Sequence, residues 1–158
     1  MNIAERGMEL EILNEVNIVM DAKSENESFA RIVAAGFIAA LDPTMNELNE
    51  VKTAVSEAVT NAVIHGYDKD SPGKITLNLT LDTNNTVTIV VSDKGKGILN
   101  IEEARSPLYT SKPEMERSGM GFTVMEMFMD STRVTSEENV GTTIIMTKKI
   151  GEVGSGDE

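Results

Sequence analysis

KITLNLTLDTNNTVTIVVSD, residues 74–93, is the stretch that decides the fold. Its hydrophobic period is two. Ile75, Leu77, Leu79 and Leu81 alternate with polar partners, the pattern of a half-buried strand. Asp82–Asn85 reads as a hairpin turn, and Val87, Ile89 and Val91 form the returning strand, which stops at Asp93. Upstream, Tyr67 to Gly73 is a turn-rich connector, and before it the period is helical. Leu48, Val51, Val55, Ala58, Val59 and Ala62 form one apolar stripe, opened by the capping box Thr44-Met45-Asn46-Glu47 and running to about His65, where Gly66 can close the helix. An earlier helix is expected behind a second capping box, Ser24-Glu25-Asn26-Glu27, with Phe29, Ile32, Val33, Phe37 and Ala40 as its apolar face. Asp42-Pro43 ends it, because proline disfavours the helical conformation in the residue before it. Leu10–Met20 carries apolar positions that suit an added edge strand.

Downstream, residues 100–120 show no sustained period and read as a long loop with a short helix, and loops of that length inside compact domains usually serve function. Phe122 to Asp130 reads as a helix. Arg133–Ser136 and Thr142–Lys148 read as a final strand pair turned by Glu138–Gly141. The order helix, helix, hairpin, long loop, helix, hairpin predicts an α+β fold: a two-layer sandwich of a mixed, mostly antiparallel sheet with helices on one face. Residues 14–150 are expected to form one domain, with 1–13 an N-terminal extension and 151–158 a mobile acidic tail.

A chain of 158 residues favours a single core. It has 10 Met and no Trp, which suits an adaptable core, and with no Cys and a single His, disulfides, thiolate chemistry and a zinc site are disfavoured. The longest apolar run, Ile32 to Leu41, falls far short of the roughly 18 residues of a membrane span. The N-terminus lacks the basic-then-apolar order of a signal peptide, so a soluble cytoplasmic protein without a membrane partner is expected. The net charge of −12 repels a phosphate backbone, which disfavours direct nucleic-acid binding. An anionic ligand needs a local exception, and Lys94, Lys96, Arg105, Lys112 and Arg117 supply one.

Four elements carry chemistry. Glu57 and Asn61, four residues apart, share one face of the second helix, off its apolar stripe. An amide oxygen there can ligate Mg²⁺, which prefers oxygen, and a carboxylate one turn away can take a proton from a hydroxyl. A solvated polar face reads the same way. Asp93-Lys94-Gly95-Lys96-Gly97 follows the second strand: an Asp at a strand end can accept from the exocyclic amine of adenine, and glycines admit a ligand without a Cβ clash. A tight turn would look alike. Arg117-Ser118-Gly119-Met120-Gly121 precedes a helix whose free N–H groups suit phosphate, with Arg117 in reach of a terminal phosphate. A hinged loop is the alternative. Gly141-Thr142-Thr143 opens the last strand, where a hydroxyl can support the adenine edge through Asp93 or a water. Each element is weak alone. Their joint order, each on the kind of element its chemistry requires, is not.

This order resembles the nucleotide-binding (Bergerat-type) fold of gyrase, heat-shock protein 90, histidine kinases and MutL. SENESFAR (24–31), LDPTM (41–45), VSEAVTNAVIHGY (55–67), IEEAR (101–105) and ERSGMGFTVME (116–126) are similar to the sporulation anti-sigma F factor family, over roughly Asn14 to Lys149. The resemblance implies a serine protein kinase and anti-sigma factor in one chain, binding ATP or ADP with Mg²⁺. Glu57 would be the catalytic base, Asn61 the Mg²⁺ ligand, and Arg117 would stabilise the transferring phosphoryl. Asp93 would read adenine, admitted by Gly95 and Gly97. Thr110, Ser118, Gly119, Met120, Gly121 and Thr142 would complete the nucleotide site. The implied partners are a sigma factor, an anti-anti-sigma protein bearing the substrate serine, and a second copy in a homodimer. Arg31, expected to point outward, is a candidate for the partner surface. Lys94 stands where the family often has an acidic residue, and Lys96 adds another cation. A non-catalytic, nucleotide-dependent sigma-sequestering module would carry similar motifs. A sensor histidine kinase fragment or a gyrase-type hydrolase fits less well, lacking a separate acceptor His or a transducing domain.

Overall fold

The computed structural model describes residues 10–66, 73–95, 97 and 121–151. The chain runs β1 (Ile12–Asp21), α1 (Glu25–Ile38), α2 (Met45–Asn61), β2 (Lys74–Asp82), β3 (Thr86–Asp93), α3 (Gly121–Phe128), β4 (Ser131–Glu137) and β5 (Gly141–Lys149). The strands form one sheet in the order β1-β2-β3-β5-β4. Every described pair is antiparallel, so the sheet expected to be mixed holds no parallel pair among the described residues. The apolar N-terminal segment does add an edge strand, β1, pairing Val16 with Leu79 and Met20 with Ile75.

The period-two reading of 74–93 holds residue by residue: Ile75, Leu77, Leu79, Leu81, Val87, Ile89 and Val91 are all buried. The turn between the strands is made by Asp82, whose Oδ1 accepts from the amides of Asn84 at 2.8 Å and Thr86 at 3.2 Å. Asn85 closes it at φ 54, in the left-handed region that Asn tolerates. On β5 the alternation buries Ile144 and Met146 on the same face. Helices cover this face: α1 packs on α2, α2 on α3, and all three reach the sheet.

The two expected capping boxes part company. At α2 the box is complete: Thr44 Oγ1 accepts from the Glu47 amide at 3.1 Å, and Glu47 Oε1 accepts from the Thr44 amide at 2.8 Å. At α1, Ser24 is itself helical and makes no side-chain cap. Glu27 is engaged elsewhere, accepting from Ser56 Oγ on α2 and standing 4.0 Å from Arg31 Nε. The apolar face of α1 is also rotated from the expected stripe. Phe29 is 49% and Ile32 68% exposed, while Ala30, Ala34 and Ile38 are buried. Val33 and Phe37 pack against the core's edge. The stripe of α2 holds as read, with Ala54 added and Leu48 at the margin. After Asn61 the helical run continues to Gly66 but widens into a π turn, Ala62–Gly66. The expected long loop, the connector 67–72, residues 1–9 and the tail 152–158 lie outside the described residues.

Candidate functional site

Asp93 stands in phase with Val87, Ile89 and Val91, so its carboxylate is carried to the helix-covered face and is only 8% exposed. Across the sheet it belongs to the row Met20, Ile75, Asp93, Thr142, Ser136. That row is apolar on β1 and β2 and turns polar on β3, β5 and β4. Asp93 Oδ1 accepts from the Gly95 amide at 2.9 Å. Burial pushes its carboxyl above the usual range, and the hydrogen bonds from the Gly95 and Thr142 amides pull only partly against that. No cation stands against it among the described residues, where no buried side-chain polar atom is without a hydrogen bond. Thr142 is buried beside it, its Oγ1 2.8 Å from Ser136 Oγ, which also donates to the Gly141 carbonyl at 3.1 Å.

Two glycines make this corner possible. Gly141 has φ 145, and a Cβ there would lie 2.1 Å from the Asp93 carbonyl oxygen. Gly97 has φ 77, and a Cβ there would lie 2.2 Å from the Glu137 carbonyl oxygen. Gly97 was expected to admit a ligand; among the described residues, what it admits is the backbone at the end of β4. Gly95 is buried and supplies the amide on Asp93.

Glu57 and Asn61 are half-buried on α2, at the border of its apolar stripe. Ser56, about 100° round the helix from Glu57, turns to α1 through Glu27. Glu57 and Asn61 therefore lie on the other border of the apolar stripe from Ser56. Asn61 ends α2, and the π turn that follows packs on both β3 and β5, the strands of Asp93 and Thr142. Gly121 opens α3. Arg117, Thr110, Ser118, Gly119 and Met120 lie outside the described residues, as does Lys96. Arg31 is half-exposed, its Nη2 3.3 Å from Ser28 Oγ. Among the described residues no group of three or more His, Cys, Asp or Glu is placed to hold a metal ion. No helix among them is long and apolar enough to cross a membrane.

Sequence reasoning missed Lys148. It is only 9% exposed, donates to the Phe128 carbonyl at 2.8 Å and pairs with Glu50 Oε2 at 2.9 Å. The signal was available: Lys148 falls in phase with Ile144, Met146 and Ile150, all buried.

The model of the histidine kinase-like ATPase domain family matches residues 20–148. Anti-sigma F factors of three bacteria are similar in sequence. That of Bacillus licheniformis is 55% identical over 139 residues, 88% of this chain and 94% of the relative. That of Bacillus subtilis is 54% identical over the same shares, and that of Clostridium perfringens is 58% identical over 87% of this chain and 97% of the relative. Among solved structures, the RsbU and RsbW domains of a Mycobacterium tuberculosis protein share the fold at 22% identity and a TM-score of 0.64, covering 87% of this chain and 32% of theirs. The histidine kinase domain of a blue-light activated kinase from Erythrobacter litoralis follows at 16% identity and a TM-score of 0.52, covering 78% of this chain and 60% of that one.

Proposed function

Because the chain belongs to the anti-sigma F factor family, with its histidine kinase-like ATPase domain, we propose that it holds a sigma factor inactive and uses Mg–ATP to phosphorylate a serine of an anti-anti-sigma protein. The observation that carries this reading is Asp93. A carboxylate buried at a strand end, held by two backbone amides and facing no cation among the described residues, is poised to accept from an amine such as that of adenine. In transfer, the serine Oγ forms a bond to the terminal phosphorus as the bond from that phosphorus to the bridging oxygen breaks and ADP leaves. Glu57 takes the serine proton, help worth about 10²–10⁴ in rate. Asn61 offers an amide oxygen to Mg²⁺, whose charge offsets that of the phosphates. Arg117 and the amides around Ser118, Gly119, Met120 and Gly121 hold the phosphoryl group, Thr110 and Thr142 complete the nucleotide site, and Arg31 belongs to the partner surface. The protein acts in the cytoplasm as a homodimer.

The test is incubation with Mg²⁺, labelled ATP, the sigma factor and the anti-anti-sigma protein, with the phosphorylated chain identified by mass spectrometry. Phosphoserine on the anti-anti-sigma protein is expected. Glu57→Ala should keep ATP binding and abolish transfer; transfer at the wild-type rate would remove Glu57 from its role. Sigma binding that depends on nucleotide, with no phosphoprotein formed, would reduce the protein to a sequestering module.

A further inference from the structure

Glu50, Glu57 and Asn61 share one flank of α2. Seven residues separate Glu50 from Glu57, two helical turns, and Asn61 is one turn further on. α3 packs on α2. At the Glu50 end, Lys148 reaches in from β5 and ties three elements together: its ammonium pairs with Glu50 of α2 at 2.9 Å and donates to the Phe128 carbonyl, in the last turn of α3, at 2.8 Å. A carbonyl at a helix C-terminus lacks an intrahelical partner and carries the negative end of the dipole, so a lysine there satisfies both. Lysine is seldom buried unless paired, and here both its partners belong to the helix layer.

We propose that Lys148 is a positioning residue for phosphoryl transfer: it clamps the far end of α3 to α2, and so fixes the near end, Gly121, against the flank that carries Glu57 and Asn61. Gly121 lies seven residues from Phe128, and Glu57 seven from Glu50, about 10 Å along each helix. Other bonds hold the same region: Thr132 Oγ1 donates to the Met125 carbonyl at 3.4 Å, and Asp130, just beyond the helix, joins β5 through the Thr147 carbonyl and the Lys149 amide. Phe122, Met125 and Met129 add an apolar hold, which resists separation more than rotation. The ion pair and the bond to the Phe128 carbonyl add direction to that hold. A shift of about 1 Å in a positioned group can cost about 10²-fold in rate.

This inference rests on the kinase reading, and its experiment separates the two. Lys148→Met keeps the length and the apolar stem while removing the donor. In the phosphotransfer assay it should lose about tenfold or more in kcat, with ADP affinity by calorimetry within about twofold of wild type. Lys148→Arg should recover most of the rate. A merely structural role would lower the thermal midpoint and reduce every readout with the folded fraction, without splitting kcat from ADP affinity. A folded Lys148→Met protein with wild-type kcat overturns the proposal. Should that variant fail to fold, Glu50→Gln, which leaves the bond to the Phe128 carbonyl, must show the same split in smaller measure, and its absence also overturns it. If the wild type itself transfers no phosphate, the kinase reading fails. The clamp is then judged on the ratio of ATP to ADP affinity, and an unchanged ratio in Lys148→Met rejects it.

Discussion

The two ends of β5 each lie beside a buried charge, and the charges are held in opposite ways. At one end Lys148 is paired with Glu50 and donates to Phe128. Beyond it, Glu47 Oε2 accepts from the Gly151 amide at 3.1 Å, so the first turns of α2 grip the strand's exit twice. At the other end Thr142 lies opposite Asp93, whose charge is met by backbone amides and no described cation, and whose carboxyl is pushed above its usual range. A paired buried charge joins elements. A buried charge without a counter-charge has a folded state that would gain from a ligand, and such perturbed groups gather at functional sites. One end of the strand is therefore anchorage, and the other is where we propose that the nucleotide sits.

The harshest way to break that contrast is Gly141→Ala. A Cβ there meets the Asp93 carbonyl oxygen at 2.1 Å and the Lys94 Cα at 2.9 Å, backbone on both counts, and φ 145 is strained for any side chain. We expect a loss of about 3 kcal/mol or more by denaturant unfolding, together with loss of ATP binding. The Lys148 end should stay intact in the folded fraction, seen as preserved amide protection in β5 near Thr147. Stability close to wild type would mean that the corner relaxes freely and that Asp93 is not rigidly held.

Asp93→Asn is gentler and more informative. Asparagine keeps one acceptor oxygen, removes the charge and puts an NH2 donor in place of the other oxygen. We expect nucleotide affinity to fall about tenfold or more, since a hydrogen bond to a charged acceptor is worth about 1.5–3 kcal/mol. Unchanged affinity in calorimetry would refute the adenine contact. The free protein should respond in the opposite sense. Because the folded-state pKa of Asp93 is raised, the folded chain binds the proton more readily than the unfolded one. Its contribution to stability is present below the ordinary aspartate pKa and is lost as pH rises through the raised value. At neutral pH the wild type therefore carries a cost that the Asn variant lacks. The variant should melt higher at pH 7, and the gap should close on acidification. A variant that melts lower at neutral pH would show the carboxylate to be stabilising.

The contrast also shows what sequence could and could not reveal. The sheet was legible because a period of two runs from Ile75 to Leu81 and resumes from Val87 to Val91 after the turn, and both buried charges stand in such a period: Asp93 continues Val87, Ile89 and Val91, and Lys148 continues Ile144 and Met146 on β5. Asp93 was read as functional because glycines follow it. Lys148 was passed over because its partners, Glu50 and the Phe128 carbonyl, lie 98 and 20 residues away in sequence, and no local pattern announces them. α1 was misjudged for a related reason. Phe29 and Ile32 outweigh Ala30 and Ala34 in hydrophobicity, yet the alanines are the buried ones, an outcome set by how the helix sits on its neighbours rather than by the segment alone. The row from Met20 to Ser136 was beyond reading, since it follows from strand order and register rather than from any one segment.

Glycine itself supplies the mildest test, because the same residue type sits under opposite constraints in two places. At Gly141 the backbone needs it. At Gly36, in the middle of α1, φ is not in the left-handed region, and a Cβ would meet nothing within 4 Å. Glycine in a helix interior costs about 0.5–1 kcal/mol relative to alanine through the freedom it loses on folding. Gly36→Ala should therefore stabilise the isolated chain by about that amount in denaturant unfolding, while Gly141→Ala destabilises it. The sign reversal between two identical substitutions is the expected outcome, set wholly by the neighbourhood of the added methyl. A loss of stability at Gly36 would mean that the added methyl meets chain outside the described residues, and the contrast between the two glycines would then have to be drawn again from that contact.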